Sequence, residues 1–205
     1  MHTKKIVLKD GPVEKGKKLL LMIHGRGGSA EDILSLAGHL NVSDYVKLAP
    51  QATNNTWYPY SFMEKPEMNE PWLSSALQLL EGLVHEIQDE GVPSEDIYFA
   101  GFSQGACLMT EFLARNAKRY GGAVAFTGGL IGDVVNRKNY SGDFNGTPFF
   151  IGSSDPDAHV PVSRIEETVK VLEEMKADVV KKIYPGMGHT IIDDEIDLAN
   201  KQVFK

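Results

Sequence analysis

Continuous apolar runs alternate along this chain with segments in which apolar residues recur every three or four positions. The runs are typical of strands buried on both faces of a sheet, and they cover residues 19–23, 97–100, 123–126 and 149–151. Residues 45–49 and 179–184, which contain lysines, are also predicted to be strands. The spaced segments predict amphipathic helices at about 29–40, 73–87, 104–116, 165–175 and 191–203. This alternation predicts an α/β fold in which helices cover both faces of a mostly parallel central sheet. The polar, glycine-containing residues 136–146 predict a surface loop.

Composition and charge restrict the classes of protein to which the chain can belong. With 205 residues, 42% of them hydrophobic, it fits a single globular domain over residues 1–205. Its 21 basic and 28 acidic residues give a net charge of −7, which disfavours nucleic acid and anionic membranes as partners. No apolar run is long enough to span a bilayer, and residues 6–8 are too few for a signal peptide, so we expect a cytoplasmic protein. The single cysteine, Cys107, excludes an internal disulfide and is expected to pack inside a helix.

A Gly-x-Ser-x-Gly pattern stands between the predicted strand 97–100 and the helix after it, at residues 101–105. A strand that turns sharply into a helix places the serine hydroxyl, here that of Ser103, at the apex of a strained turn. Side chains in place of the two glycines would collide with the neighbouring strand and helix. A serine hydroxyl is a poor nucleophile until a base takes its proton, so the pattern predicts an acid and a histidine further along the chain.

Both partners have candidates at predicted strand ends, where sites form in parallel sheets. His189 follows the last predicted strand in a loop whose glycines would allow the imidazole to swing over the sheet edge. Two carboxylates, Asp155 and Asp157, follow the strand at 149–151 and compete for the role of orienting His189. In this arrangement Ser103 is the nucleophile, His189 is the general base and then the general acid, and one aspartate fixes the histidine tautomer.

A tetrahedral intermediate formed on the serine would carry an oxyanion that needs preorganised hydrogen-bond donors. The backbone N–H of Gln104, directly after the serine, is one predicted donor, and the positive end of the helix dipole assists it. The second donor is expected from the glycine-rich loop 24–28, with the backbone N–H of Arg26 as the best choice because the flanking glycines permit an unusual turn. We expect His24 to shape this loop through side-chain hydrogen bonds.

These motifs resemble those of the phospholipase/carboxylesterase family, which includes the acyl-protein thioesterases, and the resemblance covers most of the chain. It rests on four segments: Ile23-His24-Gly25-x-Gly27, Gly101-Phe102-Ser103-Gln104-Gly105, Asp157-x-x-Val160-Pro161 and Gly186-Met187-Gly188-His189. The resemblance implies a minimal α/β-hydrolase fold without a large lid, and no metal or organic cofactor. It also implies that the acid is Asp157, which precedes a Val-Pro pair at the family's spacing, rather than Asp155.

Three further features leave alternatives open. The loop that is rich in aromatic residues is either core or an apolar wall for an acyl or alkyl group. We predict a substrate-binding wall formed by Trp57, Tyr58, Phe62, Met63 and Trp72. Arg26 is either a solvated charge or a contact for a carboxylate or phosphate on the substrate. His159 is expected to face solvent, although it stands close to the acid.

The sequence therefore predicts a serine hydrolase that cleaves carboxylic ester or thioester bonds of small to medium acyl substrates through an acyl-enzyme. A dienelactone-hydrolase-like enzyme shares the fold but usually uses cysteine, and Ser103 argues against it. A non-catalytic binding module on the same fold is a third interpretation, although the chain has a candidate for every catalytic role. No histidine pair has metal-ligand spacing. An exposed apolar loop near the site is compatible with a homodimer.

Overall fold

The computed structural model describes residues 1–2 and 6–205. Within them, seven strands form one sheet. The strands are β1 (Val7–Lys9), β2 (Leu19–Ile23), β3 (Val46–Pro50), β4 (Ile97–Phe102), β5 (Gly122–Phe126), β6 (Pro148–Asp155) and β7 (Asp178–Pro185). Their order is β1-β3-β2-β4-β5-β6-β7, and every neighbouring pair is parallel except β1 and β3. The predicted mostly parallel central sheet is confirmed.

Helices cover both faces of this sheet, as predicted. In the described chain the α-helices are α1 (Ala30–Ser35), α2 (Trp72–Asp89), α3 (Gln104–Arg115), α4 (Val162–Glu174) and α5 (Asp193–Gln202). Helices α2, α3 and α4 pack on the face to which Leu19, Leu21 and Ile23 of β2 contribute. Helices α1 and α5 pack on the other face, to which Leu20 and Met22 contribute. Because both faces are covered, β2 and β4 read as continuous apolar runs rather than as alternating patterns.

Some predicted boundaries and one surface assignment need correction. The sequence pattern does not predict β1, because a strand of three residues at the sheet edge is too short to show a period of two. The predicted helix 29–40 changes at Leu36–His39 into a 3₁₀ helix. Residues 136–146 are not simply a surface loop, because Phe144 is fully buried and its ring centroid lies 6.3 Å from that of Phe149. An apolar anchor therefore holds a segment whose composition is otherwise polar.

The fold gathers the predicted site residues at one edge of the sheet. The predicted triad and oxyanion donors lie in or directly after the loops that follow β2, β4, β6 and β7, and the predicted wall residues follow β3, which is also parallel to β2. The carboxyl ends of parallel strands meet at the same edge, where ligands bind in open α/β sheets. Cys107 is buried in α3, as predicted, and burial raises the pKa of its thiol to about 12. Every helix of the described chain is too short or too polar to cross a membrane.

Candidate active site

Ser103 occupies the turn between β4 and α3 in the strained conformation that the Gly-x-Ser-x-Gly pattern predicts. Its φ of 53° and ψ of −119° are values that residues with a side chain rarely adopt. The N–H of Ser103 donates to the carbonyl of Phe126 on β5 at 2.9 Å, which fixes the turn against the sheet. A Cβ on Gly105 would lie 2.2 Å from the carbonyl oxygen of Ile23, and one on Gly101 would lie 2.9 Å from the backbone of α3. Only glycine fits at both positions, and the turn presents the hydroxyl at the N-terminus of α3.

Ser103, His189 and Asp157 come from separate loops and form a continuous hydrogen-bonded chain. Ser103 Oγ lies 2.7 Å from His189 Nε2, and His189 Nδ1 lies 2.9 Å from Asp157 Oδ2. The loop after β7 reaches this position through Gly188, whose φ is 78°. The N–H of Gly188 donates to Ser154 Oγ at 2.9 Å, which ties the histidine loop to β6.

Asp157, rather than Asp155, is the carboxylate that contacts His189; Asp155 is exposed at the end of β6. The second oxygen of Asp157, Oδ1, accepts the backbone N–H of His159 at 2.7 Å and that of Val160 at 2.8 Å. Burial by itself raises the pKa of the Asp157 carboxyl, but these two N–H groups and the His189 ring outweigh burial, so the pKa is lowered overall. The ionised carboxylate accepts a hydrogen bond from Nδ1–H of the imidazole, which keeps the ring proton on Nδ1 and leaves Nε2 free to accept the serine proton.

Two rings flank the imidazole of His189. The centroid of Phe102, the residue before the serine, lies 5.3 Å from it, and that of His159 lies 4.8 Å from it in an edge-on arrangement. His159 is exposed, as the sequence predicts, but it also belongs to the site because its ring covers one side of His189. Both contacts restrict the orientations that the imidazole can adopt.

His24 organises the loop that follows β2. Its Nε2 accepts the backbone N–H of Ala52 at 3.1 Å, so the ring proton is on Nδ1, which donates to the carbonyl of Gly25 at 2.7 Å. Burial lowers the pKa of the His24 ring, which favours this neutral form. The indole N–H of Trp57 donates to the carbonyl of His24 at 2.8 Å. The side chain of His24 thus shapes the loop through hydrogen bonds, as predicted.

Two backbone N–H groups beside Ser103 have no acceptor. Within the described residues, neither the N–H of Gln104 nor that of Arg26 donates a hydrogen bond to another protein group. Gln104 is the first residue of α3, so its N–H belongs to the positive end of the helix. Arg26 stands between two glycines, of which Gly27 has a φ of 78°. Both residues line the same cavity as the serine, so the prediction that these N–H groups face an oxyanion is compatible with the structure.

A cavity of about 600 Å³ opens over Ser103. Tyr58 and Phe62, two of the predicted wall residues, line it. Cys107 and Val160 add further apolar surface, and sequence reasoning did not assign them to a substrate pocket. The sequence could have placed Cys107 at the cavity, because a residue four positions after the serine lies one helical turn further on the same face of α3. The cavity therefore joins an apolar wall to Ser103 and His189.

The other three residues predicted to bind substrate do not line this cavity. Trp57 is fully buried, because its indole N–H reaches a backbone carbonyl and its ring packs 5.0 Å from that of His24. Trp72 begins α2 and lies edge-on to His2, with ring centroids 5.5 Å apart. Met63 packs against the hydrophobic core. Trp57, Met63 and Trp72 thus lie outside the cavity over Ser103, because the aromatic loop turns part of its apolar surface inward, and a role for them in substrate binding stays a prediction.

The groups at this site are those that acyl transfer requires. A hydroxyl hydrogen-bonds to an imidazole, a carboxylate hydrogen-bonds to that imidazole, and two residues of the same cavity have backbone N–H groups without an acceptor among the described residues. Elsewhere in the described chain, no group of three or more histidine, cysteine, aspartate or glutamate side chains is placed to hold a metal ion.

The sheet order, the serine turn and the histidine loop define an α/β-hydrolase fold. The chain belongs to the phospholipase/carboxylesterase family, which it matches over residues 4–204. A phospholipase/carboxylesterase from Dyadobacter fermentans, known from a crystal structure, is 53% identical, with a TM-score of 0.97 over 100% of this chain and 99% of that one. Acyl-protein thioesterase 1 of Kluyveromyces lactis is 25% identical over 91% of each chain. The carboxylesterase of Bacillus cereus shares the fold, with a TM-score of 0.80 at 21% identity over 98% of this chain and 93% of that one.

Proposed function

We propose that this protein is a serine hydrolase that cleaves carboxylic ester or thioester bonds through an acyl-enzyme intermediate, and that residues 1–205 act as one catalytic domain. The observation that carries the proposal is the continuous path from Ser103 Oγ through the His189 imidazole to Asp157, with distances of 2.7 Å and 2.9 Å. Relatives named as carboxylesterases and as acyl-protein thioesterases support both bond types. We propose no metal or organic cofactor, because these side chains supply a nucleophile, a base and an acid.

The proposed reaction begins when Ser103 Oγ attacks the acyl carbon while His189 Nε2 takes the hydroxyl proton. The carbonyl oxygen becomes an oxyanion, which accepts the backbone N–H groups of Gln104 and Arg26. Asp157 stabilises the imidazolium through Nδ1. The tetrahedral intermediate collapses, the alcohol or thiol leaves with the proton from His189, and the acyl group stays on the serine. Water then attacks the ester, His189 takes its proton, and a second collapse releases the acid and restores the hydroxyl.

The dimensions and lining of the cavity support small to medium acyl substrates. Its volume of about 600 Å³ is in the range of ordinary ligand pockets, and Tyr58 and Phe62 offer an apolar surface for the acyl or alkyl group. We therefore expect short and medium acyl esters to be hydrolysed faster than emulsified triglyceride. Equal or greater activity on emulsified triglyceride would contradict this substrate range.

The proposed setting is the cytoplasm, with a small-molecule substrate and without stable membrane or nucleic-acid partners. The net charge of −7 supports the absence of nucleic-acid and anionic-membrane partners, since the chain has no surplus of cations to bind phosphates. A homodimer stays a prediction.

A fluorophosphonate probe and a panel of p-nitrophenyl esters test the proposed function. We expect the wild-type protein to take the label and to hydrolyse the esters, and Ser103→Ala to do neither. The matched control is Ser43→Ala, which removes an exposed serine ahead of β3, at the opposite edge of the sheet, and should keep full labelling and activity. A wild-type protein that takes no label and cleaves neither esters nor thioesters would favour the binding-module interpretation.

A further inference from the structure

The side chains of Arg26 and Gln104 both bind one short stretch of chain, the 56–60 segment. These are the two residues whose backbone N–H groups are the proposed oxyanion donors. The 56–60 segment also forms part of the cavity wall, through Tyr58, Pro59 and Tyr60. One stretch of chain is therefore in contact with both sides of the proposed oxyanion hole and with the substrate cavity.

The guanidinium of Arg26 is engaged by the protein. Its Nη1 donates to Thr56 Oγ1 at 3.0 Å and to the carbonyl of Pro59 at 2.8 Å, and its Nη2 donates to the carbonyl of Tyr60 at 2.6 Å. Hydrogen bonds from a charged donor are stronger than neutral ones. A solvated arginine would keep no fixed partners, and an arginine reserved for a substrate anion would keep its terminal nitrogens free. These contacts speak against both alternatives that the sequence left open for Arg26.

The side chain of Gln104 holds the same segment from the other side. Its Oε1 accepts the backbone N–H of Trp57 at 2.9 Å, and its Nε2 donates to the carbonyl of Tyr58 at 2.8 Å. The hydroxyl of Thr56 accepts from Arg26 and lies 3.2 Å from Gln104 Oε1. Thr56 thus links the two side chains, and Gln104 is buried at this contact.

The peptide that carries the Arg26 N–H is fixed in part by its own loop, because the carbonyl of Gly25 accepts from His24 Nδ1 at 2.7 Å and from the N–H of Gly28 at 3.1 Å. Gly25 and Gly27 stand on either side of Arg26, and glycine permits backbone conformations that other residues avoid. The N–H of Gly27 donates to the carbonyl of Asn55 at 2.7 Å, which holds the following peptide against the residue before the 56–60 segment. The indole N–H of Trp57 ties the carbonyl of His24 to the 56–60 segment, and the Arg26 side chain adds three hydrogen bonds at the residue that carries the proposed donor.

We infer that Arg26 is a positioning residue. Its guanidinium hydrogen-bonds to the 56–60 segment and thereby directs the backbone N–H of Arg26 towards the oxyanion. The inference rests on the proposed function, because it needs an oxyanion beside Ser103. Its consequence is specific to the transition state. A donor that is displaced from the oxyanion lowers kcat, whereas binding of the uncharged ground state changes little.

The expected loss is smaller than that for a deleted donor. Removing an oxyanion donor typically lowers kcat by about 10²–10³-fold, and a donor that stays present but loses its fixed direction should lower kcat by about 10–100-fold. We expect KM to stay within about threefold, because the interaction is made in the transition state. The loss should be the same for a neutral ester and for an anionic ester with the same leaving group.

The experiment compares Arg26→Ala, Arg26→Lys and Thr56→Val with the wild type on p-nitrophenyl butyrate and on mono-p-nitrophenyl succinate. Arg26→Lys should recover part of kcat, since an ammonium can reach one of the carbonyls but lacks the planar fork. Thr56→Val should lower kcat by only a few-fold (about 2–5-fold), since it removes one of the three Arg26 contacts and the Thr56 hydroxyl contacts to Gln104 and Tyr58, without a change of charge. Arg119→Ala is the matched control, because Arg119 also donates to a loop carbonyl, that of Gly146, at the opposite edge of the sheet. It should leave both kinetic constants unchanged.

A trifluoromethyl ketone, which forms a tetrahedral oxyanion on the serine, gives the second measurement. Its affinity should fall in proportion to kcat/KM across the three variants, while thermal melting shows that each variant is folded. An unchanged kcat in Arg26→Ala and Thr56→Val would overturn the inference, and so would a loss confined to KM for the succinate ester, which would make Arg26 an anion-binding residue. Ser103→Ala is measured alongside, and residual activity in that variant would refute the proposed function itself. If activity requires Ser103 but kcat is unchanged in the Arg26 and Thr56 variants, only the role of Arg26 is refuted.

Discussion

Replacing Asp157 with asparagine tests the hydrogen-bonded chain sharply, because the neighbouring groups dictate how the new amide must lie. Asp157 Oδ1 accepts two backbone N–H groups at 2.7 Å and 2.8 Å. The amide oxygen must take that position, and its NH₂ group must then face His189 Nδ1. The opposite orientation would place NH₂ against two donors and lose both hydrogen bonds, each worth about 1 kcal/mol.

An amide in this orientation changes the tautomer of His189. Nδ1 must accept the amide hydrogen, so the ring proton moves to Nε2, which faces Ser103 Oγ at 2.7 Å. A protonated Nε2 donates to the hydroxyl and is unable to take its proton. We expect kcat to fall by about 10³–10⁴-fold, which corresponds to about 4–5.5 kcal/mol of activation free energy, as in other serine hydrolases with this substitution.

Steady-state hydrolysis of p-nitrophenyl acetate at pH 8 measures this loss, and the rate of fluorophosphonate labelling should fall with it. Asp155→Asn is the matched control, since it makes the same change of charge and shape two residues away on an exposed side chain. We expect the control to keep wild-type kcat. A kcat for Asp157→Asn within about tenfold of the wild type, or a larger loss in Asp155→Asn, would refute the argument that Asp157 controls activity by fixing the His189 tautomer.

Three further predictions follow from buried groups. Gly105→Ala places a Cβ 2.2 Å from the carbonyl oxygen of Ile23 and should destabilise the fold by at least about 3 kcal/mol in urea, whereas Gly82→Ala, in open space on α2, should stabilise it by about 0.5–1 kcal/mol. Burial raises the pKa of Glu195 from 4.5 to about 7. Between these two pH values the folded state keeps the carboxyl protonated while the unfolded state has lost that proton. The free energy of unfolding should therefore fall by about 3 kcal/mol as the pH rises from 4.5 through 7. Glu195→Gln should flatten this dependence in thermal melts; an unchanged slope would contradict the assignment. Cys107 should resist a disulfide exchange reagent at pH 8 in the native protein and react once urea unfolds it; rapid reaction of the native thiol would contradict its burial.

The sequence predicts the strands and the converging side chains because each has a strong local cause. Strands such as β2 and β4 are covered on both faces, and the resulting apolar runs are hard to mistake. The serine turn is specified by steric collisions at Gly101 and Gly105, which are properties of the backbone rather than of distant contacts. Parallel strands bring their carboxyl ends to one edge, so Ser103 and His189 are predicted to meet before any distance is known.

The aromatic loop shows what the sequence pattern leaves undecided. Trp57 and Tyr58 are adjacent, similarly apolar and both fully buried, yet only Tyr58 forms part of the cavity wall. The difference depends on which polar group finds an acceptor: the indole N–H of Trp57 reaches the carbonyl of His24, a partner 33 positions away in the sequence. No pattern of hydrophobicity encodes such a contact. The same holds for Arg26, whose partners lie 30–34 residues further along the chain.

The shared anchoring of the cavity wall and of the proposed oxyanion donors constrains how the substrate range of this fold can change. A mutation that enlarges the cavity at Pro59 or Tyr60 also moves a carbonyl that the Arg26 side chain holds. Phe62 lines the cavity without bonding to that side chain. If the positioning role of Arg26 holds, changes at Pro59 or Tyr60 should trade acyl-chain preference against kcat, whereas changes at Phe62 should shift preference alone. The substrate range of this enzyme should therefore be easier to alter at Phe62, on the part of the cavity wall that the Arg26 side chain does not bind.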